Sequence, residues 1–313
     1  MLRYLARQLV QMVVTVLGIV TVVFFLVRTI PGDPAAYMLG DYATQDSVAA
    51  LRAQMGLDLP LYVQYLRFLR HAAEGDLGSS VVTGQPALPE ALSSLPPSAA
   101  LAVSGIVIAT VIGLPLGVIT AVRQGSWTDF AVMIGALLGI SFPVFWLGLV
   151  GILLLSHDLR LFPALGGSST DDLGSQIYHL ALPALVLGVS VAAYITRLAR
   201  SAMLEVLNQD FILVARAMGV KEHRIVYRLA LRNAMVPVLA IIGVTFAWSL
   251  GSAILIEAVF SRPGLGSMIL KAVFARDYQL VQAGVLILAI AVVLVNTALD
   301  LSYAVIDPRR RSQ

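Results

Sequence analysis

Residues 99–122 read Ala99-Ala100-Leu101-Ala102-Val103-Ser104-Gly105-Ile106-Val107-Ile108-Ala109-Thr110-Val111-Ile112-Gly113-Leu114-Pro115-Leu116-Gly117-Val118-Ile119-Thr120-Ala121-Val122, without one charged side chain. A helix crossing the hydrocarbon core of a bilayer needs roughly 20 such residues. Five further stretches meet the same requirement: 9–30, 131–155, 177–196, 235–257 and 280–302. Among all six, only Arg28, Glu257 and Asp300 are charged. Each lies near a span end, where a long cation snorkels and a carboxylate reaches water. The pattern predicts an all-α polytopic membrane protein with six transmembrane helices.

Composition agrees. The 313 residues are 58% hydrophobic and 12% charged, about half the charge of a soluble domain, and mean hydropathy is +0.87. Two soluble domains, a disordered chain, a collagen and a nucleic-acid binder are all excluded. The pI is near 9.3 but the net charge is only +3. With no cysteine there is no disulfide framework, thiolate metal site or cysteine nucleophile. Arg3 and Arg7 precede the first apolar run as in a signal peptide. That run is too long for an h-region, and Pro31-Gly32-Asp33-Pro34 is a poor cleavage context. The reading is a retained helix.

Lysine and arginine set the orientation. Segments 1–8, 123–130, 197–234 and 303–313 hold 13 of them in 65 residues, whereas 31–98, 156–176 and 258–279 hold 7 in 111. Both termini are therefore expected in the cytoplasm, with 303–313 as a cytoplasmic tail.

Two connecting segments carry pattern. In 31–98, residues 47–55 read as an amphipathic helix stopped at Gly56. Residues 60–69 read as a second, with proline in its first turn and aromatics on one face. A small helical lid on the outer face is expected; the alternative is a packed elaboration with no ligand role. In 197–234, long for a helix connection, Ala215, Arg216 and Ala217 lead to Gly219, suited to a left-handed C-cap. A short helix follows, with Ile225, Val226 and Leu229 on one side and Lys221, Arg224 and Arg228 on the other. Such a helix–glycine–helix presents a narrow alanine surface to another protein's groove. A basic amphipathic helix on anionic lipid is the alternative.

At these residues the chain resembles a known family. Ala215-Arg216-Ala217-Met218-Gly219, then Leu231-Arg232-Asn233-Ala234-Met235-Val236-Pro237, is similar to the EAA loop of binding-protein-dependent ABC importers, in its oligopeptide/dipeptide permease form. Further similar strings keep the family's order over nearly the whole chain. They are Pro31-Gly32-Asp33-Pro34, Met55-Gly56-Leu57-Asp58-Leu59-Pro60-Leu61 with Gln64-Tyr65, and Gly75-Asp76-Leu77-Gly78-Ser79-Ser80. Beyond them come Ser141-Phe142-Pro143-Val144-Phe145, Glu257-Ala258-Val259-Phe260, Pro263-Gly264-Leu265-Gly266, Arg276-Asp277-Tyr278 and Asp307-Pro308-Arg309. Aligned on Gly219, the family's Glu-Ala-Ala becomes Leu213-Val214-Ala215, so no role of that glutamate carries over.

The resemblance implies a type I ABC importer permease subunit of the bacterial plasma (inner) membrane, the one of its pair with a long external insertion. Residues 1–30 would be the N-terminus and first helix, 31–98 the insertion, and 95–302 the permease core with 197–234 as coupling loop. Ala215, Arg216, Ala217, Gly219, Val220, Arg224, Ile225, Arg228, Asn233 and Pro237 would form the ATPase-coupling site. Implied partners are a second homologous permease, two cytoplasmic ATPases and a solute-binding protein. The implied cargo is a peptide; nickel complexes, glutathione or an oligosaccharide are alternatives within the family.

The chemistry missing from the chain fits a non-catalytic subunit. No Gly-x-x-x-x-Gly-Lys-Ser/Thr loop occurs, so ATP and magnesium would be bound by partners and the chain itself holds no cofactor. His71, His157, His179 and His223 show no metal-ligand spacing. A stand-alone secondary transporter, the alternative of another class, normally carries several buried ionisable groups. Gly113/Gly117 and Gly135/Gly139 permit close helix contact. Pro115, Pro143, Pro183 and Pro237 are read as packing kinks.

Overall fold

The computed structural model describes residues 2–29, 33–40, 44–166 and 172–306. Pro31, Gly32, the side chain of Asp300 and residues 307–313, on all of which sequence-based expectations fall, lie outside the described residues. The described elements are helical: α1 (Leu2–Thr29), α2 (Pro34–Leu39), α3 (Gln45–Gln54), α4 (Leu61–Ala73), α5 (Ala87–Val122), α6 (Trp127–Ser141), α7 (Val144–Gly151), α8 (Leu173–Leu207), α9 (Asp210–Ala217), α10 (Glu222–Arg224), α11 (Leu231–Val259), α12 (Leu265–Phe274) and α13 (Tyr278–Ile306). Two π-helical segments, Ile152–Asp158 and Ile225–Ala230, continue α7 and join α10 to α11.

Among the described residues, five apolar helices are long enough to cross a membrane: Val10–Thr29, Ala87–Val122, Leu173–Leu207, Glu222–Val259 and Tyr278–Leu299. The sixth expected span, 131–155, differs. It is a pair of helices, Trp127–Ser141 and Val144–Asp158, meeting at a bend of 103°. Pro143 explains the break. The residue before a proline is pushed out of the helical region, and Phe142 is extended at φ −85°, ψ 133°. Pro143 has no N–H to continue the ladder and caps α7 instead.

The chain forms two compact units. The first comprises residues 1–97 and 264–297. Its core joins Val27 and Leu77 to Leu265, Ile269, Tyr278 and Ile287. Within it α3 begins at a Thr44 cap whose hydroxyl accepts from Ser47 N–H, and Gly56 turns left-handed at φ +67°. Helix α4, part of the 31–98 segment expected to form a small helical lid, lies across α1. Tyr65 packs against Phe24 and Phe25 at centroid distances of 5.2 and 5.8 Å, and Phe68 against Phe24 at 5.6 Å. The Thr21 and Tyr65 hydroxyls are 2.6 Å apart, and Arg28 Nε donates to Gln64 Oε1 at 3.0 Å.

The second unit comprises residues 98–263 and 298–313. Here α5 and α8 run in near backbone contact. A Cβ at Gly117 would sit 2.6 Å from Ala199 Cβ and 2.7 Å from the Thr196 carbonyl, and one at Gly113 2.8 Å from the Ala192 carbonyl. The Gly113/Gly117 pair therefore packs helices within the subunit. Helix α8 has 35 residues, roughly 50 Å of helix against a 30 Å hydrocarbon core. The excess length extends past the span and carries the next elements.

Candidate coupling element

The last turns of α8 form a seat. Ala199, Met203, Val206 and Leu207 pack with Ile212 and Ala215 of α9, Ile225 and Val226 of the π segment, and Ala234 and Val238 of α11. Helix α9 is too short to stand alone, and this burial holds it. Its end is a complete Schellman turn. Gly219 N–H donates to the Arg216 carbonyl at 2.9 Å, and Val220 N–H to the Ala215 carbonyl at 3.1 Å. Gly219 has φ +76°, and a Cβ added there would meet nothing within 4 Å. Glycine is therefore needed for backbone conformation rather than space. The left-handed turn expected from sequence is present.

Past the turn, Arg216 clasps Glu222, with Nε–Oε1 at 2.7 Å. Leu231 N–H donates to the Val226 carbonyl, five residues back. This wider π turn lets Ile225, Val226 and Ala230 all face inward before α11 resumes with Ala234 and Val238 on the same side. Asn233 Nδ2 donates to the Leu229 carbonyl at 2.8 Å, and Pro237 lies inside α11.

The structure thus divides the site residues named from sequence. Arg216, Ala217, Gly219, Arg224, Arg228, Asn233 and Pro237 are exposed, and Val220 is half-buried. Ala215 and Ile225 are buried against the seat, so Ala215 does not share a surface with Ala217. Because α9 turns 100° per residue, Leu213 and Val214 fall on Ala217's side together with the exposed Asp210 of the first turn. The C-cap Met218 continues that surface past the helix end. Leu213, Val214 and Met218 are 55%, 55% and 72% exposed. Tyr227 is exposed nearby in sequence. Leu213, Val214, Met218 and Tyr227 are not among the site residues expected from sequence. Their signal was an eight-residue helix apolar on both faces inside a polar segment, and one face can be covered only by something else.

An ion pair braces the seat. Arg200 on α8 grips Asp129 near the start of α6 bidentately, both contacts at 2.7 Å. Asp129 is 5% exposed and also accepts from Gly125 N–H at 3.0 Å. Ser126 caps α6 through Asp129 N–H.

Other motifs resolve into buried polar contacts. In the first unit, Asp277 is fully buried. Its Oδ2 accepts from Ser80 Oγ at 2.6 Å and Val81 N–H at 2.8 Å, and its Oδ1 from Leu280 N–H at 3.1 Å. The Gly75–Ser80 string and Arg276-Asp277-Tyr278 are two halves of one clamp. In the second unit, Ser98 Oγ donates to the fully buried Glu257. Arg262 beside it has its pKa held below the usual guanidinium value by burial, with the Glu257 charge opposing that shift.

Comparison with known proteins gives a consistent result. Residues 113–312 match the family described as binding-protein-dependent transport system inner membrane component, and residues 1–93 match the N-terminal region of such membrane components. A putative peptide permease protein of Brucella ovis is 43% identical over 316 residues, 99% of each chain. The glutathione transport system permease protein GsiC of Salmonella paratyphi A is 38% identical, again over 99% of each. The di/tripeptide transport system permease protein DppB of Pseudomonas aeruginosa is 38% identical over the whole of both chains. Among solved structures, an inward-facing MetNI methionine ABC transporter shares the fold, with TM-score 0.54 over 69% of this chain and 95% of that one at 22% identity. Several apolar spans, the shared fold and this full-length similarity together place the chain in the family of binding-protein-dependent transport system inner membrane components.

Proposed function

We propose that this chain is one of two permease subunits of an ABC importer, forming half of a pathway for peptides that a solute-binding protein delivers and partner ATPases drive. The observation that carries the reading is the outward, mainly apolar surface of α9 and its C-cap, formed by Leu213, Val214, Ala217 and Met218 with Asp210 at its start. It belongs to a sharply turned helix packed on the end of a long apolar helix. Such a face fits a groove in a partner ATPase. Arg216, Gly219 and Val220 shape the turn, Arg224 and Arg228 rim it, and Asn233 and Pro237 lead back into the span. Ala215 and Ile225 support it from beneath. The Lys/Arg bias supports a cytoplasmic location for this element and both termini, with 31–98 outside and a permease core over 95–302. ATP and magnesium belong to the ATPases, so the chain is non-catalytic. Peptide cargo is supported by the relatives' names, among which glutathione is itself a small peptide.

The test is reconstitution in liposomes. Peptide uptake is expected only with the second permease, the ATPases, the solute-binding protein and ATP all present. Uptake by this chain alone, driven by an ion gradient, would instead establish a secondary transporter.

A further inference from the structure

Helix α4 has three sides. At 100° per residue, Gln64, Tyr65, Phe68 and Ala72 share the side that meets α1 through the aromatic and hydrogen-bond contacts given above. Arg67, Arg70 and His71 form a polar flank, where Arg70 pairs with Glu74 at 3.1 Å. Between these two sides, Tyr62, Leu66, Leu69 and Ala73 fall in a sector about 60° wide. Tyr62 is 68% exposed and Leu66 61%. An apolar stripe with a basic flank is the pattern of a helix lying in a membrane interface.

What covers the stripe follows from α1. Its uncharged run between Arg7 and Arg28 has 20 residues, which at 1.5 Å each matches the roughly 30 Å hydrocarbon thickness. Arg28 therefore marks an edge of the hydrocarbon. Helix α4 crosses α1 around Phe24, about four residues in, or about 6 Å below that edge. Interfacial helices bury their apolar face about 5–10 Å into the headgroup–acyl boundary. On the same turns α1 leaves Val22, Phe25 and Leu26 exposed, a surface suited to the same medium.

We propose that α4 is an interfacial helix, with Tyr62, Leu66, Leu69 and Ala73 in the upper acyl region of the bilayer and Arg67, Arg70 and His71 among the phosphates. Its partner is the lipid surface. This placement depends on α1 being a membrane span and not on the cargo or on the coupling element.

The chain's lack of cysteine makes the test direct. Tyr62→Cys, Leu66→Cys and Ala73→Cys are labelled with an environment-sensitive fluorophore in nanodiscs, with Arg70→Cys as the polar-flank control; Ala73→Cys is the smallest side-chain change. Lipids carrying a nitroxide high on the acyl chain should quench the first three probes severalfold more than the control, and their emission should be blue-shifted. Water-like emission at positions 62, 66 and 73 overturns the proposal. So does shielding that appears only when the other transporter subunits or the solute-binding protein are added, without lipid quenching, which would make the stripe a protein interface.

Discussion

At Gly219 the backbone takes φ +76° in open space, so a side chain there is opposed by left-handed strain alone. Gly219→Val should cost about 1 kcal/mol or more locally, with membrane insertion unchanged. Co-purification of the ATPases should fall and transport be lost; normal retention and uptake would remove Gly219 from the coupling element. Ala217→Glu places a charge on the outward apolar face at an exposed position. It should leave the protein's membrane level unchanged and weaken ATPase retention. If α9 rests on lipid instead, the assembled complex would survive this change. Asp277 makes a contrasting case, being fully buried among donors. Asp277→Ala leaves those donors unpaired, at about 1–3 kcal/mol for each buried group. A lowered thermal unfolding midpoint in detergent is expected, whereas an unchanged midpoint would refute the clamp.

Between elements, the Asp129–Arg200 pair decides how firmly α6 is tied to the seat of α9. Removing one partner of this partly buried pair strands the other charge, while removing both is milder. Arg200→Ala should therefore destabilise the protein more than the double variant Asp129→Ala/Arg200→Ala. A double variant as unstable as the sum of its singles would show that the two side chains act independently. The π segment Ile225–Ala230 has a related part. By adding a residue to the turn it keeps Ile225, Val226 and Ala230 on the seat and leaves Tyr227 and Arg228 exposed.

On the scale of the whole molecule, the charge bias and the spans make a joint statement about sidedness. Single cysteines at Ala50 and His223, both exposed, should react with an impermeant reagent from opposite faces of the membrane. Labelling of both in intact cells would overturn the orientation. Lacking a phosphate loop, the purified chain should hydrolyse no ATP until the ATPases are added. Sustained hydrolysis from a preparation free of them would overturn the permease reading.

What was legible in the sequence was whatever rests on local free energies. Transfer of an uninterrupted apolar run out of water is a property of that run, so the long spans could be read one at a time. Left-handed geometry at Gly219 is likewise local, and so are the helices at 45–54 and 61–73. The break at Pro143 was local too, but its size was set by the extended Phe142 before it. Contacts between distant residues could not be read this way. Nothing in Ser80 announces Asp277, 197 positions away, nor in Asp129 its Arg200, 71 positions away. The parting of Ala215 from Ala217 required knowing which side of α9 meets α8. The position of α4 required knowing that Tyr65 and Phe68 reach α1. Amphipathicity shows that a helix has a face to bury, and only the folded chain brings up the surface that buries it.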